Sequence, residues 1–147
     1  MAPGTTKRLE TFGSAEGGEV RVLLVDEAPD DLAYNSALLQ ALGCEVFACC
    51  SYVDGVRQLD SGSWDIVVVS QGSRAFEGRC VLERATVIDR KLPVLVLTPF
   101  HDMHCYLEAM QLGAVDYLEE PISQREIRRA LDTYLHHFGV AGSSPPP

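Results

Sequence analysis

Five short apolar runs recur along the chain, and four of them stop at polar residues. RVLLV runs into Asp26 and Glu27, PVLVL into Thr98, and VDYL into Glu119 and Glu120. WDIVVVS, Trp64 to Ser70, is β-branched, unbroken and closed by Ser70. A strand buried on both faces of a sheet reads as a continuous apolar run, not as an alternation. The pattern predicts strands over Arg21 to Val25, Asp65 to Val69, Pro93 to Leu97 and Val115 to Leu118. A weaker one, Glu45 to Cys49, reads as lying near a sheet edge.

Between these runs the period changes to that of a helix. Pro29 stands at a helix start, where its missing N–H is no loss. Leu32, Leu39 and Leu42 follow on one face, and Gly43 supplies a stop. Ser51 caps a short helix carrying Val53, Val56 and Leu59, weakened by Gly55 by about 1 kcal/mol relative to Ala. After a polar loop over Gln71 to Glu77, a helix from about Gly78 turns Val81, Ala85 and Ile88 inward. Another, Asp102 to Leu112, turns Met103, Leu107 and Met110 inward and stops at Gly113. Ser123 and Glu126 form a capping box flanked by Ile122 and Ile127 at the spacing of a hydrophobic staple. Ile127, Leu131, Tyr134 and Phe138 then make one apolar stripe.

Strands alternating with helices through short connections predict an α/β fold, a parallel sheet with helices on both faces. Five strands suit the doubly wound, flavodoxin-like order 2-1-3-4-5, whose switch point lies between the first and third strands. Ligands of such sheets bind outside the carboxyl ends of the strands. Asp26, Glu27 and Ser70 are therefore expected to meet there, with Thr98 and Glu120 converging from the neighbouring strands. Residues 1–18 are polar and Gly-rich and read as a flexible arm. Residues 19–138 read as one domain, and GVAGSSPPP, 139–147, as a disordered tail.

Composition narrows the function classes. The 147 residues carry a net charge of −9 with a pI near 4.8, which argues against binding nucleic acid or an anionic membrane. No apolar run reaches the length of a membrane span and the N-terminus lacks a secretory signal, so a cytoplasmic location is expected. The five cysteines lack CxxC spacing and read as reduced thiols, mostly buried. His101, His104 and Cys105 lack an evident fourth metal ligand and read as an exposed helix start. His136 and His137 are adjacent and point apart on a helix. Arg125, Arg128 and Arg129 make a small basic patch on the last helix.

From about Val20 to Leu135 the sequence resembles a response-regulator receiver (CheY-like) domain. The resemblance rests on VLLVDEAPDD at the first strand, LPVLVLT at the fourth, GAVDYLEEP at the fifth, and Gly78 eight residues after Ser70. It implies that Asp26 and Glu27 match the acidic pair that holds Mg²⁺, Thr98 the hydroxyl that contacts a phosphoryl group, and Tyr117 the aromatic that moves with it. Two positions depart from the family. Ser70 stands where the phospho-acceptor aspartate should be, and Glu120 replaces the lysine before Pro121. Arg74 also stands where proline is usual, and Pro99 where a small residue is.

The resemblance with these departures implies a degenerate pseudo-receiver. The expected function is that of a stand-alone atypical response regulator in two-component signalling, not an enzyme, acting through protein–protein contacts without phosphorylation. No cofactor is expected, with Mg²⁺ at most weak at Asp26 and Glu27. Arg74, just after Ser70, is expected to reach back and offset the crowded carboxylates. Thr98 and Tyr117 are the expected switch pair. The expected partner surface is the fourth helix, fifth strand and fifth helix, through His104, Glu108, Gln111, Tyr117, Arg125 and Arg129, with a homodimer as one form. The alternative is a metal-dependent phospho-acceptor that uses a shifted residue of the same pocket.

Overall fold

Every residue of β3 (Ile66–Ser70) is buried, and the other elements are laid around it. The computed structural model describes residues 19–135. In chain order the elements are β1 (Arg21–Val25), α1 (Pro29–Ala41), β2 (Glu45–Cys49), α2 (Tyr52–Ser61), β3, α3 (Arg79–Ile88), β4 (Val94–Thr98), α4 (Met103–Gln111), β5 (Asp116–Glu119) and α5 (Gln124–Tyr134). The sheet order is β2-β1-β3-β4-β5, as expected, and every pairing is parallel. The register sets Val25 beside Cys49 and Val69, Ser70 beside Leu97, and Thr98 beside Glu119. The polar groups at the strand ends are thus level with one another.

Alternate strand residues feed two cores, one on each sheet face. Leu23, Val25, Val67, Val69, Val94 and Val96 pack with residues of α2, α3 and α4. Val22, Leu24, Ile66, Val68, Leu95 and Leu97 pack with α1 and α5. The edge strand β2 is half open, with Phe47 and Ala48 exposed. Arg21 lies over the Trp64 ring at 4.6 Å, and Phe47 meets Trp64 edge-on at 5.1 Å. Trp64 is only half-buried and stands outside β3, not inside a buried strand; its Nε1 donates to the Gln58 carbonyl. Strands β3, β4 and β5 each begin and end one residue later than the apolar runs indicate.

The helix faces depart further from expectation. On α4, Met103 and Leu107 are 60% and 52% exposed, while Cys105 and Ala109 are buried. On α2, Val53 is exposed, and Tyr52, Gly55 and Leu59 face the sheet. On α3, Ile88 is exposed, whereas Val81 and Ala85 are buried as expected. On α4 the cause is close approach. A helix lying tight on a sheet makes contact through its small residues, and periodicity judged from the largest apolar residues then points to the wrong face. Helix α5 follows expectation: Ser123 Oγ accepts from Glu126 N at 3.0 Å, and Glu126 Oε1 accepts from Ser123 N at 2.9 Å. Ile127 and Leu131 are buried, Tyr134 is half-buried, and His136, His137, Phe138, the arm and the tail lie outside the described residues. All five cysteines are free thiols; Cys50 and Cys80 are exposed and the other three buried.

One glycine fixes the junction between β3 and α3. A Cβ on Gly78 would lie 2.0 Å from the Ser70 carbonyl oxygen, a backbone atom at the end of the central strand. Gly78 N donates to the Gln71 carbonyl at 3.1 Å, so the approach is held from both sides. A Cβ on Gly55 would meet side-chain methyl groups, those of Val25 at 2.8 Å and 3.0 Å and one of Val81 at 3.4 Å. Gly78→Ala is therefore expected to lower stability by about 3 kcal/mol or more, and Gly55→Ala by less, as read by urea denaturation. Equal costs for the two would show that the β3–α3 junction can relax.

Candidate functional site

The carboxyl ends of β1, β3 and β4 border a cavity of about 370 Å³, lined by Asp26, Glu27, Asp31, Tyr52, Ser70 and Glu77 among others. Asp26 leaves β1 only 4% exposed, and its Oδ1 accepts from Ala28 N at 2.9 Å. The Ser70 side chain is turned onto its own loop, its Oγ accepting from Gly72 N at 3.2 Å. The Tyr52 hydroxyl donates to the Ser70 carbonyl at 3.2 Å, and burial pushes its pKa up to about 12. Near Ser70 Oγ no histidine lines the cavity. Exposed Glu77 closes the wall; its carboxylate accepts from Ser73 N and Oγ, which hold its pKa below the usual range.

Glu120 enters from the end of β5 through a cis Glu120–Pro121 peptide. Its Oε2 accepts from the buried Asn35 amide at 2.9 Å. One carboxylate oxygen each of Asp26, Asp31 and Glu120 lie within 4.8 Å of one another. Burial raises the Asp26 pKa against the Ala28 N–H, and repulsion from Asp31 and Glu27 adds to the rise. Burial likewise raises Glu120, against the Asn35 hydrogen bond, with Asp31 and Asp26 contributing. The crowding is real, but its third member is Asp31 on α1, while Glu27 is exposed at the rim. Asp31 was visible in DEAPDD, yet an acidic residue in a first helical turn is so ordinary that it carries no signal there.

Three carboxylate oxygens from three elements form a donor set suited to a hard divalent cation such as Mg²⁺. Asp26, Asp31 and Glu120 are the residues that would hold it, in place of the expected pair Asp26 and Glu27. Ser70 adds a hydroxyl where a fourth carboxylate would strengthen the site. His101, His104 and Cys105 do not form a metal-ligating group among the described residues.

Arg74 does not offset the pocket. Its side chain is 81% exposed and pairs with Asp102 at 3.5 Å, over the Phe100 ring. The loop over Ser73 to Glu77 carries Arg74 toward the β4–α4 side, away from Asp26. Thr98 is fully buried; its Oγ donates to the Phe100 carbonyl at 2.6 Å and accepts from Phe100 N at 3.2 Å. Tyr117 is 6% exposed, with its hydroxyl hydrogen-bonded to the buried Gln71 side chain, so it is absent from the expected partner surface. On that surface His104, Gln111, Arg125 and Arg129 are exposed, and Glu108 is half-buried and paired with Arg79. Asn35, Tyr52 and Gln71 are further site residues that pattern reading passed over, because none lies in an apolar run or a motif.

Comparison with known proteins places this geometry. The family described as the response regulator receiver domain matches residues 22–132. The transcriptional regulatory protein ZraR of Salmonella typhimurium is 26% identical over 143 residues, covering 87% of this chain and 32% of that protein. The sporulation initiation phosphotransferase F of Bacillus subtilis is 25% identical over 118 residues, covering 78% of this chain and 93% of that protein. A receiver domain crystal structure from Clostridium thermocellum superimposes with a TM-score of 0.72 at 24% identity, covering 80% and 94% of the two chains. The chain thus spans about a third of the length of the ZraR regulators it matches.

Raised carboxylate pKa values have a definite sign. The stability contributed by protonated Asp26 and Glu120 is fully present below the ordinary carboxylate range and is lost as pH rises through their raised values. Glu120→Gln keeps an acceptor for Asn35 and removes a charge. It is expected to raise the melting midpoint by about 2–4 °C at pH 7, with the gain vanishing near pH 4 as the wild-type carboxyls protonate. Mg²⁺ should stabilise the wild type at pH 7 and the variant less. A Glu120→Gln midpoint equal to wild type at pH 7 would refute the charge crowding.

Proposed function

This chain belongs to the response regulator receiver domain family, and on that premise we propose that it is a pseudo-receiver: a two-component signalling domain that works through protein contacts without phosphorylation. The single observation that carries this reading is the end of β3. The residue level with Leu97 and directly after Val69, where the family places its acceptor carboxylate, is Ser70, and its hydroxyl is bound to the Gly72 amide. Acyl-phosphate formation needs a carboxylate oxygen to attack phosphorus as the donor's leaving group departs, with cations to neutralise the phosphoryl oxygens. Ser70 has no carboxylate, and no base lies at its hydroxyl. A serine phosphate ester would also be too stable to reset by itself. Glu120, held by Asn35, presents negative charge where the incoming group needs a cation.

Output on this reading runs through the exposed faces of α4 and α5. Met103, His104, Leu107 and Gln111 stand outward on α4, and Arg125 and Arg129 on α5. Exposed apolar residues beside histidine and arginine suit a modest, partly polar interface. A cytoplasmic location fits this role, and among the described residues no helix is long and apolar enough to cross a membrane.

A second reading has one observation in its favour. Asp31 and Glu77 place carboxylates in the same cavity as Ser70, so a shifted acceptor beside a divalent ion has candidate residues. Beryllofluoride with Mg²⁺ separates the two. It should leave the amides of Ser70 and Gly72 unmoved in NMR spectra of a pseudo-receiver, and shift them in a shifted-acceptor domain.

Acetyl phosphate is expected to add no mass to the wild-type protein. Ser70→Asp should raise Mg²⁺ affinity more than labelling, and Ser70→Asp with Glu120→Lys should do better on both. Efficient labelling of the unmutated pocket would sink the proposal. Reversing charge at Arg125 and Arg129 should abolish partner binding in a co-purification assay with the fold intact, and Ser70→Ala should leave it unchanged. The opposite pattern would move the working surface to the pocket.

A further inference from the structure

Gln71, the residue after Ser70, is fully buried, although it opens a loop that reads as polar in sequence. A buried primary amide is costly unless its donors and acceptor are matched. Its Nε2 donates to the Ser73 carbonyl at 3.0 Å, and its Oε1 accepts from the Tyr117 hydroxyl at 2.5 Å. Its backbone is held as well: the N–H donates to Leu97 O at 2.7 Å, and the carbonyl accepts from Gly78 N. One residue therefore ties the ends of β3 and β4, the start of α3, and β5.

The Tyr117 hydroxyl is shared. While donating to Gln71 it accepts from Asp102 N at 3.3 Å. Asp102 caps α4 through Cys105 N at 3.1 Å and pairs with Arg74. Around the ring, His101 and Tyr106 meet Tyr117 edge-on at 5.4 Å and 5.6 Å. The start of α4 is thus referred, through Asp102 and Tyr117, to the Gln71 amide. Among the described residues none of these hydrogen bonds reaches Asp26, Asp31 or Glu120 directly, but Ser73, whose carbonyl Gln71 holds, lines the acidic cavity, and the Thr98 hydroxyl, bonded to Phe100, also partners the Tyr117 side chain.

We propose that Gln71 is an internal latch: it holds Tyr117 buried and so fixes the β4–α4 loop and the first turn of α4. This rests on the pseudo-receiver reading and deepens it, since a domain without a phosphoryl trigger must have the conformation of its α4 face set from within. A ligand shifts a conformation only through differential affinity for its states. A change at Gln71 acts on Tyr117 directly, through the shortest hydrogen bond of its hydroxyl.

Fluorine NMR of the full chain labelled with fluorotyrosine, with Tyr117 assigned by Tyr117→Phe, and amide hydrogen exchange at Asp102 and Cys105 test the latch. In wild type, one buried Tyr117 signal is expected. Gln71→Met keeps length and volume but removes the acceptor. It should shift Tyr117 toward the exposed-tyrosine position and speed Asp102 and Cys105 exchange at least tenfold, with β1 and β3 amides unchanged. Should Gln71→Met not fold, Tyr117→Phe serves, because it removes the hydroxyl to which Asp102 N donates and should give the same local loss of protection. Unchanged Asp102 exchange in the folded variants overturns the latch. So does a wild-type Tyr117 signal at the exposed-tyrosine position, which needs no variant. Acetyl-phosphate labelling tests the pseudo-receiver reading separately: labelling with Tyr117 unmoved would defeat that reading and leave the latch standing.

Discussion

A parallel sheet covered on both faces leaves its strands one place to put polar groups, their carboxyl ends. The structure depends on that constraint. Leu23, Val67, Val94 and their neighbours are removed from water on both sides, so Asp26, Ser70, Thr98 and Glu120 come together because nowhere else in the strands can take them. The site follows from the burial pattern of the sheet. What differs in this chain is the charge collected there. Asp26, Asp31 and Glu120 bring carboxylates within 4.8 Å, and no lysine or arginine lines the cavity.

That imbalance links the fold to the function proposed. In water, like charges at such separations cost little; partly buried, they raise carboxyl pKa values and weaken the folded state at neutral pH. Asn35 relieves part of the strain by donating to Glu120, and the Ala28 amide does the same for Asp26. Neutral donors of this kind hold carboxylates in place without supplying the positive charge that phosphoryl transfer requires. The pocket is organised and satisfied, yet its electrostatics oppose an incoming phosphoryl group. Arg74, the cation nearest in sequence to Ser70, serves Asp102 instead.

A second polar network lies beside the first. Gln71, Tyr117 and Asp102 join the β3–α3 loop, strand β5 and the β4–α4 loop, while the Ser70 hydroxyl bonds to its own loop. Adjacent residues, Ser70 and Gln71, thus belong to different networks. Strand alternation explains this, because successive side chains leave the β3 end in opposite directions. The exposed apolar residues of α4, Met103 and Leu107, sit on the helix whose start the second network positions.

The sequence by itself determined the strands, their order, the capping box of Ser123 and Glu126, and the meeting of Asp26, Ser70, Thr98 and Glu120 at one end of the sheet. These follow from burial on two faces and from local hydrogen bonding, both of which are written in nearest neighbours. Tertiary structure alone decided the rest. Asp31 joins the carboxylates because α1 meets the β5–α5 loop through Tyr34 and Asn35, Arg74 leaves them because its loop turns toward Phe100, and Tyr117 goes inward because Gln71 offers an acceptor 46 residues away. Helix α4 turns Cys105 and Ala109 to the sheet because close approach favours small residues over the larger Met103 and Leu107. Each of these depends on partners distant in the chain, and periodicity along one segment carries no record of them.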